Sequence, residues 1–137
     1  MLAIIAPGQG SQTPGMLTTW IEDAQLHALV EEFSDAIGLD LVRLGTTADA
    51  DEIKDTANAQ PLIVAAGLIS AHALGAVESA AYVAGHSVGE ITAAAIADAI
   101  SPIDAMTLVR ARGIEMAKAA GVSPSGMAAV LGGDRQV

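Results

Sequence analysis

The sequence of 137 residues contains no cysteine and only one each of Phe, Trp and Tyr. The absence of cysteine excludes a thiol nucleophile, a disulfide framework and thiolate metal ligands. Because apolar residues still make up 52% of the chain, its core has to be built from Ala, Val, Ile and Leu, which favours helices packed closely on a sheet. The three histidines, His27, His72 and His86, are too scattered for a zinc site, so we expect neither a metal nor a cofactor.

Basic side chains are scarce as well, with six Lys and Arg against sixteen Asp and Glu, for a formal net charge of −10. This balance argues against nucleic acid as a partner. Residues 1–109 hold two basic and fourteen acidic side chains (net −12), whereas residues 110–137 hold four basic and two acidic ones (net +2). An anionic ligand or an acidic partner is therefore expected near the C-terminal segment.

Long hydrophobic runs are also missing, since no stretch reaches the roughly 18 uninterrupted apolar residues of a membrane span. Residues 1–5 lack the positive flank of a signal peptide. We therefore expect a soluble, cytoplasmic protein without a membrane partner. The length suits one domain with a sizeable core, or part of a larger one.

The most informative stretch is Gly85-His86-Ser87-Val88-Gly89, which follows an apolar run at 81–84 and precedes an alanine-rich helical pattern at 91–100. In a G-x-S-x-G turn of this kind the serine backbone is strained, so the residues two before and two after it have to be small. The turn exposes the hydroxyl at a helix N-terminus, where unpaired N–H groups stabilise developing negative charge. A bare G-x-S-x-G is common by chance, but a strand before it and a helix after it predict a serine nucleophile.

Leu2–Ala6 is apolar at every position, which predicts a strand buried on both faces of a parallel sheet. Residues 7–12 end this strand and contain two glycines and two glutamines, Gln9 and Gln12. They form either a plain strand-ending loop or a backbone that approaches another group closely, with the glutamines as amide donors. A phosphate-binding loop is excluded because no Lys-Ser/Thr follows.

Helical patterns cover much of the remaining chain. They predict an amphipathic helix over 22–37 with Gly38 as C-cap, a helical turn or two within 49–55, a long buried helix from Gln60-Pro61 to Leu74 with Pro61 in its first turn, and a helix capped by Ser101 that ends near Ala120. A turn over 121–126 and a strand over 127–131 follow.

Two arginines of the last predicted helix are candidate anion ligands. Arg112 lies one helical turn from Leu108 and from Met116, and so shares their face. An arginine among apolar neighbours should not remain unpaired, which makes it a candidate to receive a buried carboxylate. Arg110 shares a face with Met106 and Ile114 and can be argued similarly, and periodicity alone does not choose between the two arginines.

The general base that a serine nucleophile needs is missing from the sequence. The side chain of His86 should diverge from that of Ser87 at the apex of so tight a turn. His27 and His72 lie on predicted helices with no polar signature around them. We therefore expect the base to lie beyond residue 137.

Five motifs of the chain occur in the order and at the spacing of a known family: Pro7-Gly8-Gln9-Gly10-Ser11-Gln12, Gln60-Pro61, Gly85-His86-Ser87-Val88-Gly89-Glu90, Arg112-Gly113 and Gly126-Met127-Ala128-Ala129-Val130. The chain resembles the malonyl-CoA:acyl carrier protein transacylases and the related acyltransferase domains of polyketide synthases. The resemblance implies an α/β-hydrolase-like large subdomain with a parallel sheet and an inserted ferredoxin-like small subdomain. Since family members are about twice as long, it implies only an N-terminal part: residues 1–125 in the large subdomain, and 126–137 as the truncated first strand of the small one.

The resemblance also implies an activity, the transfer of malonyl from malonyl-CoA to the phosphopantetheine thiol of acyl carrier protein in fatty acid or polyketide biosynthesis. Ser87 would be the nucleophile and form a malonyl-serine intermediate. The backbone N–H groups of Gln9 and Val88 would form the oxyanion hole.

Substrate binding is implied for three further residues, Arg112, His86 and Gln60. Arg112 would bind the free carboxylate of malonyl, and it is chosen over Arg110 because the family's arginine immediately precedes a glycine. Malonyl-CoA and acyl carrier protein are the implied partners.

Two other classes of function use the same features. A serine esterase or thioesterase would use the same turn but release the acid to water. A non-catalytic module that binds acyl-CoA or a carrier protein is suggested by the missing base.

Overall fold

The computed structural model describes residues 1–75 and 77–122, which form an α/β fold. Two strands, β1 (Leu2–Ala6) and β2 (Ala80–Gly85), make a parallel pair. The helices are α1 (Ala24–Ile37), α2 (Leu41–Thr46), α3 (Thr56–Leu74), α4 (Gly89–Ile96) and α5 (Pro102–Val122), with 3-10 turns at Trp20–Glu22, Glu52–Lys54 and Val77–Ser79. The predicted class, with helices packed on a parallel sheet, is confirmed at this level.

The sheet is covered on one face by the described residues. Ile4 lies opposite Val83 and Ala6 opposite Gly85, and Ala6 is buried on this face. The side chain of Tyr82, on the other face, is 65% exposed. The prediction that β1 is buried on both faces is therefore wrong for the described part of the chain, because helices pack on one side of the strand pair only.

Helix α3 lies at the centre of the core. Every residue from Ala59 to Ala65 is buried, which confirms the predicted buried helix. By length and composition alone this helix of 19 residues could cross a membrane, but its most apolar window is 56% buried inside the fold. Such burial is typical of the core helix of a folded domain.

The start of α3 differs from the prediction. The helix begins at Thr56 rather than at Gln60-Pro61, because the carboxylate of Asp55 caps it by accepting a hydrogen bond from the N–H of Ala57 at 2.7 Å. Pro61 consequently lies in the second turn of the helix and not in the first. A proline is favoured at the first helical position, but this signal is weaker here than the cap at Asp55, six residues before Pro61.

Pro61 leaves one backbone acceptor of α3 without its helical donor. A proline has no N–H, so the carbonyl of Ala57, four residues earlier, cannot receive the regular helical hydrogen bond. Arg110 on α5 supplies the missing donor, with its Nη1 atom 2.8 Å from the carbonyl oxygen of Ala57. A side chain from another helix thus compensates for the proline.

Other helix boundaries follow the capping signals in the sequence. Asp23 caps α1, and Gly38 ends it in the left-handed conformation with φ of 59°, as predicted. Ser101 accepts a hydrogen bond from the N–H of Asp104 at 3.0 Å, which confirms it as the cap of α5.

Two predicted helix ends are wrong. The helix after the serine stops at Ile96 rather than near residue 100, because Asp98 takes a left-handed φ of 56° that a helix cannot accommodate. Helix α5 continues to Val122, so Gly121 belongs to the helix and not to the predicted turn. The predicted strand over 127–131 and the predicted boundary before residues 126–137 lie outside the described residues.

Candidate active site

Ser87 occupies a sharp turn between β2 and α4. Its φ is 54°, in the left-handed region that residues with a Cβ rarely adopt. The N–H of His86 donates to the carbonyl of Ala6 on the neighbouring strand at 3.1 Å, and the N–H of Gly89 donates to the carbonyl of His86 at 3.0 Å. The predicted strand, strained serine turn and helix are therefore confirmed.

The two glycines of the turn are required by its sterics. A Cβ atom at Gly85 would collide with the backbone of Gly89 and Glu90. A Cβ atom at Gly89 would collide with the backbone oxygens of Ala6 and Pro7. Both positions therefore have to be glycine for the turn to pack against β1.

Two backbone N–H groups, one in the serine turn and one in the loop of residues 7–12, make no hydrogen bond within the described residues. Among the described residues, neither the N–H of Gln9 nor that of Val88 donates a hydrogen bond. Val88 is the N-cap residue of α4, so its N–H lies at the positive end of the helix dipole.

The loop of residues 7–12 lies against the serine turn. A Cβ atom at Gly8 would collide with the ring of His86, so this glycine allows the loop to approach the turn closely. The Nε2 atom of Gln9 donates to Thr56 Oγ1 at 3.1 Å. Gln12 Nε2 donates to the carbonyl of Ile53 at 3.3 Å. Of the two predicted interpretations of this loop, the close approach to another group is confirmed.

Arg112 reaches the serine from α5. Its Nη2 atom donates to Ser87 Oγ at 3.1 Å, and its Nη1 atom donates to Gln60 Oε1 on α3. Arg110 also lies on α5, but it donates to the carbonyl of Ala57 on α3 instead. Of the two arginines that periodicity could not separate, Arg112 is the one that lies beside Ser87.

Gln60 is the only fully buried glutamine of the described part, with an exposed fraction of 0%. Since an arginine can only donate, the Oε1 atom of Gln60 has to face Arg112. Its Nε2 atom then points to Met116 Sδ, 3.2 Å away. Both ends of the amide are satisfied, which fixes the orientation of Gln60 towards Arg112.

An open cleft of about 770 Å³ lies between the serine turn and α5. His86, Ser87 and Arg112 line it, together with apolar and acidic side chains of α4 and α5. Arg112 lines this cleft together with Leu108, as expected for residues that share a helix face. The face is open to solvent here, since Leu108 is 52% exposed and Met116 is 38% exposed.

The described residues do not bring a histidine base to Ser87 from elsewhere in the chain. His27 lies on α1, 3.8 Å from the carboxylate of Glu31. His72 lies near the end of α3, beside α1. Nor do the described residues contain a group of His, Asp and Glu that would hold a metal ion.

The sequence matches one protein family over most of its length. The family described as "Acyl transferase domain" matches residues 4–135. The chain belongs to this family.

Relatives of this acyl transferase chain share much of its sequence. The malonyl CoA-acyl carrier protein transacylase of Mycobacterium tuberculosis is 53% identical over 98% of the chain, and the chain covers 46% of that protein. The protein of the same name from Escherichia coli K12 is 37% identical over 96% of the chain, with 44% of its own length covered. The chain therefore spans about half the length of the curated relatives that it matches.

Solved structures show the same fold. A crystal structure of MCAT from Mycobacterium tuberculosis matches with a TM-score of 0.88 and 54% identity, over 96% of this chain and 45% of that one. A structure of a type II PKS acyl-carrier protein in complex with its malonyl-transacylase contains a chain that matches with a TM-score of 0.77 and 33% identity. The match covers 85% of this chain and 39% of that one.

Two residues that contact the candidate site residues were missed from the sequence. Thr56 holds Gln9, and Met116 accepts from Gln60. Asp55 before Thr56 is a usable cap signal that would have placed Thr56 at the start of α3. The contact of Met116 carries no such signal, because it joins residues 56 positions apart.

Proposed function

We propose that this acyl transferase chain is the Ser87-bearing part of a malonyl-CoA:acyl carrier protein S-malonyltransferase of fatty acid or polyketide biosynthesis. The observation that carries the proposal is the 3.1 Å distance between Arg112 Nη2 and Ser87 Oγ. At this distance the Arg112 guanidinium is one hydrogen bond from the nucleophile. The free carboxylate of a short diacid attached to Ser87 would lie beside this cation. Relatives that bear the name malonyl CoA-acyl carrier protein transacylase support the proposal.

The first half-reaction loads the enzyme. Ser87 Oγ attacks the thioester carbonyl of malonyl-CoA and gives up its proton to a base from outside the described residues. The carbonyl oxygen becomes an oxyanion between the N–H groups of Gln9 and Val88, each worth roughly 3–4 kcal/mol in the transition state. The C–S bond then breaks, and coenzyme A leaves as the protonated thiol, with malonyl held as an ester on Ser87.

The second half-reaction unloads it. The phosphopantetheine thiol of acyl carrier protein attacks the ester carbonyl, and the C–O bond to Ser87 breaks. Ser87 recovers its proton, and the malonyl group leaves as a new thioester. The exchange is ping-pong, since coenzyme A departs before the second thiol reacts.

Arg112 selects malonyl over acetyl in this proposal. Its guanidinium binds the free carboxylate, while Gln60 holds the guanidinium in place through the bond to Nη1. An acetyl group leaves the arginine without its anion, which makes acetyl a poorer substrate. His86 contributes as a side chain that lines the cleft beside Ser87.

The finer architecture is proposed on the same resemblance. Residues 1–125 would be the N-terminal part of an α/β-hydrolase-like subdomain, and residues 126–137 the first strand of a ferredoxin-like insertion. The strained Ser87 between strand and helix supports the first assignment.

Acyl carrier protein is the proposed macromolecular partner. A solved complex of such a protein with its malonyl-transacylase has a similar fold. Because carrier proteins are typically acidic, as this chain is, docking should use residues 110–137, whose net charge is +2, rather than the acidic surface of residues 1–109. We place the activity in the cytoplasm, with no membrane or nucleic-acid partner.

The products distinguish transfer from hydrolysis. The natural full-length protein is incubated with malonyl-CoA in the presence and absence of acyl carrier protein that bears its phosphopantetheine arm. The proposal predicts malonyl-carrier protein in the first case and little free malonate in the second. Steady release of malonate in both cases would identify a thioesterase, and binding without any product would identify a binding module.

A further inference from the structure

The side chains of Arg110 and Arg112 flank the stripe of α5 that packs on α3. Val109 and Gly113 are buried within this stripe. At 100° per residue, position 110 falls on one side of the stripe and position 112 on the other. The two arginines therefore reach α3 from opposite sides.

Both arginines bind the same short part of α3. Arg110 donates to the carbonyl of Ala57, and Arg112 donates to the side chain of Gln60, three residues further on. Any sliding or rotation of α5 along α3 changes both contacts together. The bond of Arg110 is thus coupled geometrically to the position of Arg112.

The helices approach closely at this point. A Cβ atom at Gly113 would lie 3.0 Å from the carbonyl oxygen of Thr56 and 3.3 Å from the Cα of Ala57. Because position 113 has no side chain, the backbones of the two helices come close enough for a side chain of α5 to reach the backbone of α3. The directional hydrogen bond from Arg110 to the carbonyl of Ala57 adds to the packing of the buried α5 residues in defining this register.

We propose that Arg110 is a positioning residue for Arg112. By pairing the carbonyl that Pro61 leaves without a donor, Arg110 sets the register of α5 on α3 in which Arg112 meets Gln60 and Ser87. The inference rests on the proposed function, because it takes Arg112 to be the residue that binds the malonyl carboxylate.

The test is a double-mutant cycle in the natural full-length protein, with Arg110→Met and Pro61→Ala. Methionine keeps much of the apolar stem of arginine but cannot donate a hydrogen bond. Alanine at position 61 restores a backbone N–H that donates to the carbonyl of Ala57 in competition with Arg110, so Pro61→Ala alone should already lower the malonyl-to-acetyl ratio and leave little for Arg110→Met to remove. Acylation of Ser87 by malonyl-CoA and by acetyl-CoA is followed by intact mass, and the ratio of the two rates is the readout.

We expect Arg110→Met to lower the malonyl-to-acetyl ratio about fivefold in the presence of Pro61, and less than about twofold in the Pro61→Ala background. Arg43→Met is the matched control, since Arg43 pairs with Glu52 at an exposed site of α2. Its ratio should equal that of the unmodified protein. Arg110→Lys, which keeps the charge and a donor, should fall between the two.

Several outcomes would overturn the proposal: an unchanged ratio in Arg110→Met, an equal fall in both backgrounds, or an equal loss of both acylation rates, which indicates a general structural role. If circular dichroism shows that Arg110→Met does not fold, Arg110→Lys replaces it in the cycle. The proposal is then overturned if Arg110→Lys changes the malonyl-to-acetyl ratio equally in the Pro61 and Pro61→Ala backgrounds. Failure of the unmodified protein to form any malonyl adduct would refute the proposed function itself. If the unmodified protein is selective for malonyl and Arg110→Met has the same selectivity, only the role of Arg110 is refuted.

Discussion

Arg112 Nη2 lies 3.1 Å from Ser87 Oγ, although the two residues are 25 positions apart and belong to different elements. Ser87 lies in the turn between β2 and α4, and Arg112 on α5 directs its guanidinium towards the serine Oγ. An acyl group attached to Oγ therefore has a cation within reach of a carboxylate only a few bonds away. This juxtaposition suits a short diacid better than a simple fatty acyl group.

Removal of the cation should relax the choice of substrate. Arg112→Ala is expected to lower the rate of Ser87 acylation by malonyl-CoA roughly 10- to 100-fold, because a hydrogen bond to a charged group contributes about 1.5–3 kcal/mol. The rate with acetyl-CoA should change little. Both rates are measured by intact mass, and Arg43→Ala serves as a surface control. Unchanged selectivity in Arg112→Ala would remove the proposed role of this residue.

The serine turn should not tolerate a methyl group at its base. Gly85→Ala is expected to lower the free energy of unfolding by at least about 3 kcal/mol, because its Cβ collides with backbone and not with a side chain that can move. Urea unfolding measures the change.

Gly121→Ala is the matched control for Gly85→Ala. Gly121 lies in α5, and a Cβ atom there has no atom of residues 1–75 or 77–122 within 4 Å. Alanine should therefore raise the free energy of unfolding by about 0.5–1 kcal/mol through its helix propensity. Equal effects of the two substitutions would show that the steric account of the turn is wrong.

The hydroxyl of Thr56 should matter for the rate of acylation. Thr56→Val keeps the shape of the side chain but removes the acceptor for Gln9 Nε2, so the loop that presents the N–H of Gln9 loses an anchor. We expect kcat for malonyl transfer to fall about 3- to 10-fold with little change in KM, since the loop would act mainly on the oxyanion.

Thr56→Ser provides the control for this effect, because it restores the hydroxyl without the methyl group. Its kcat should return to within about twofold of the unmodified protein. If Thr56→Ser is as slow as Thr56→Val, the hydrogen bond to Gln9 is not the cause.

The ion pair between Arg43 and Glu52 should make stability depend on pH. Hydrogen bonds donated by Arg43 lower the pKa of the Glu52 carboxyl, with a further contribution from the positive charge itself. A lowered folded-state pKa stabilises the fold above the ordinary glutamate pKa of about 4.3, and this stabilisation is lost as the pH falls through the folded-state pKa. The stability difference between the unmodified protein and Glu52→Gln should therefore be present at neutral pH and shrink in acid.

Salt supplies the control for the ion pair. Both side chains are exposed, so their attraction is screened, and the difference at neutral pH should also shrink at high ionic strength. A difference that persists unchanged from pH 7 to acid would contradict the assignment. Urea unfolding across the pH range measures both effects.

The serine turn could be predicted because most of its requirements are local. Gly85 is fixed by the backbone of Gly89 and Glu90 in the same turn, and a strand followed by a helix is visible in the hydrophobic pattern. Gly89 is required by the distant residues Ala6 and Pro7, but it belongs to the same local sequence pattern. Ser101 and Gly38 were predictable as caps for the same reason, since each acts within one turn of its own helix.

Long-range contacts could not be predicted in the same way. Periodicity placed Arg110 and Arg112 on two faces of α5, but the partners of these faces depend on how α5 packs on α3. The contact of Arg110 with Ala57 joins residues 53 positions apart, and it depends on a helix start that the sequence pattern misplaced. The exposed face of β1, with Ile5 at 68%, was missed because an apolar strand does not indicate which of its faces is covered.

In the proposed mechanism, Ser87 carries a malonyl group whose carboxylate is held by Arg112. The intact mass of the natural full-length protein after incubation with malonyl-CoA tests it most directly, with acetyl-CoA and Ser87→Ala in parallel. We expect the mass to increase by one malonyl group, with no increase in Ser87→Ala and a much weaker adduct from acetyl-CoA. An adduct that persists in Ser87→Ala, or equal labelling by the two thioesters, would contradict it.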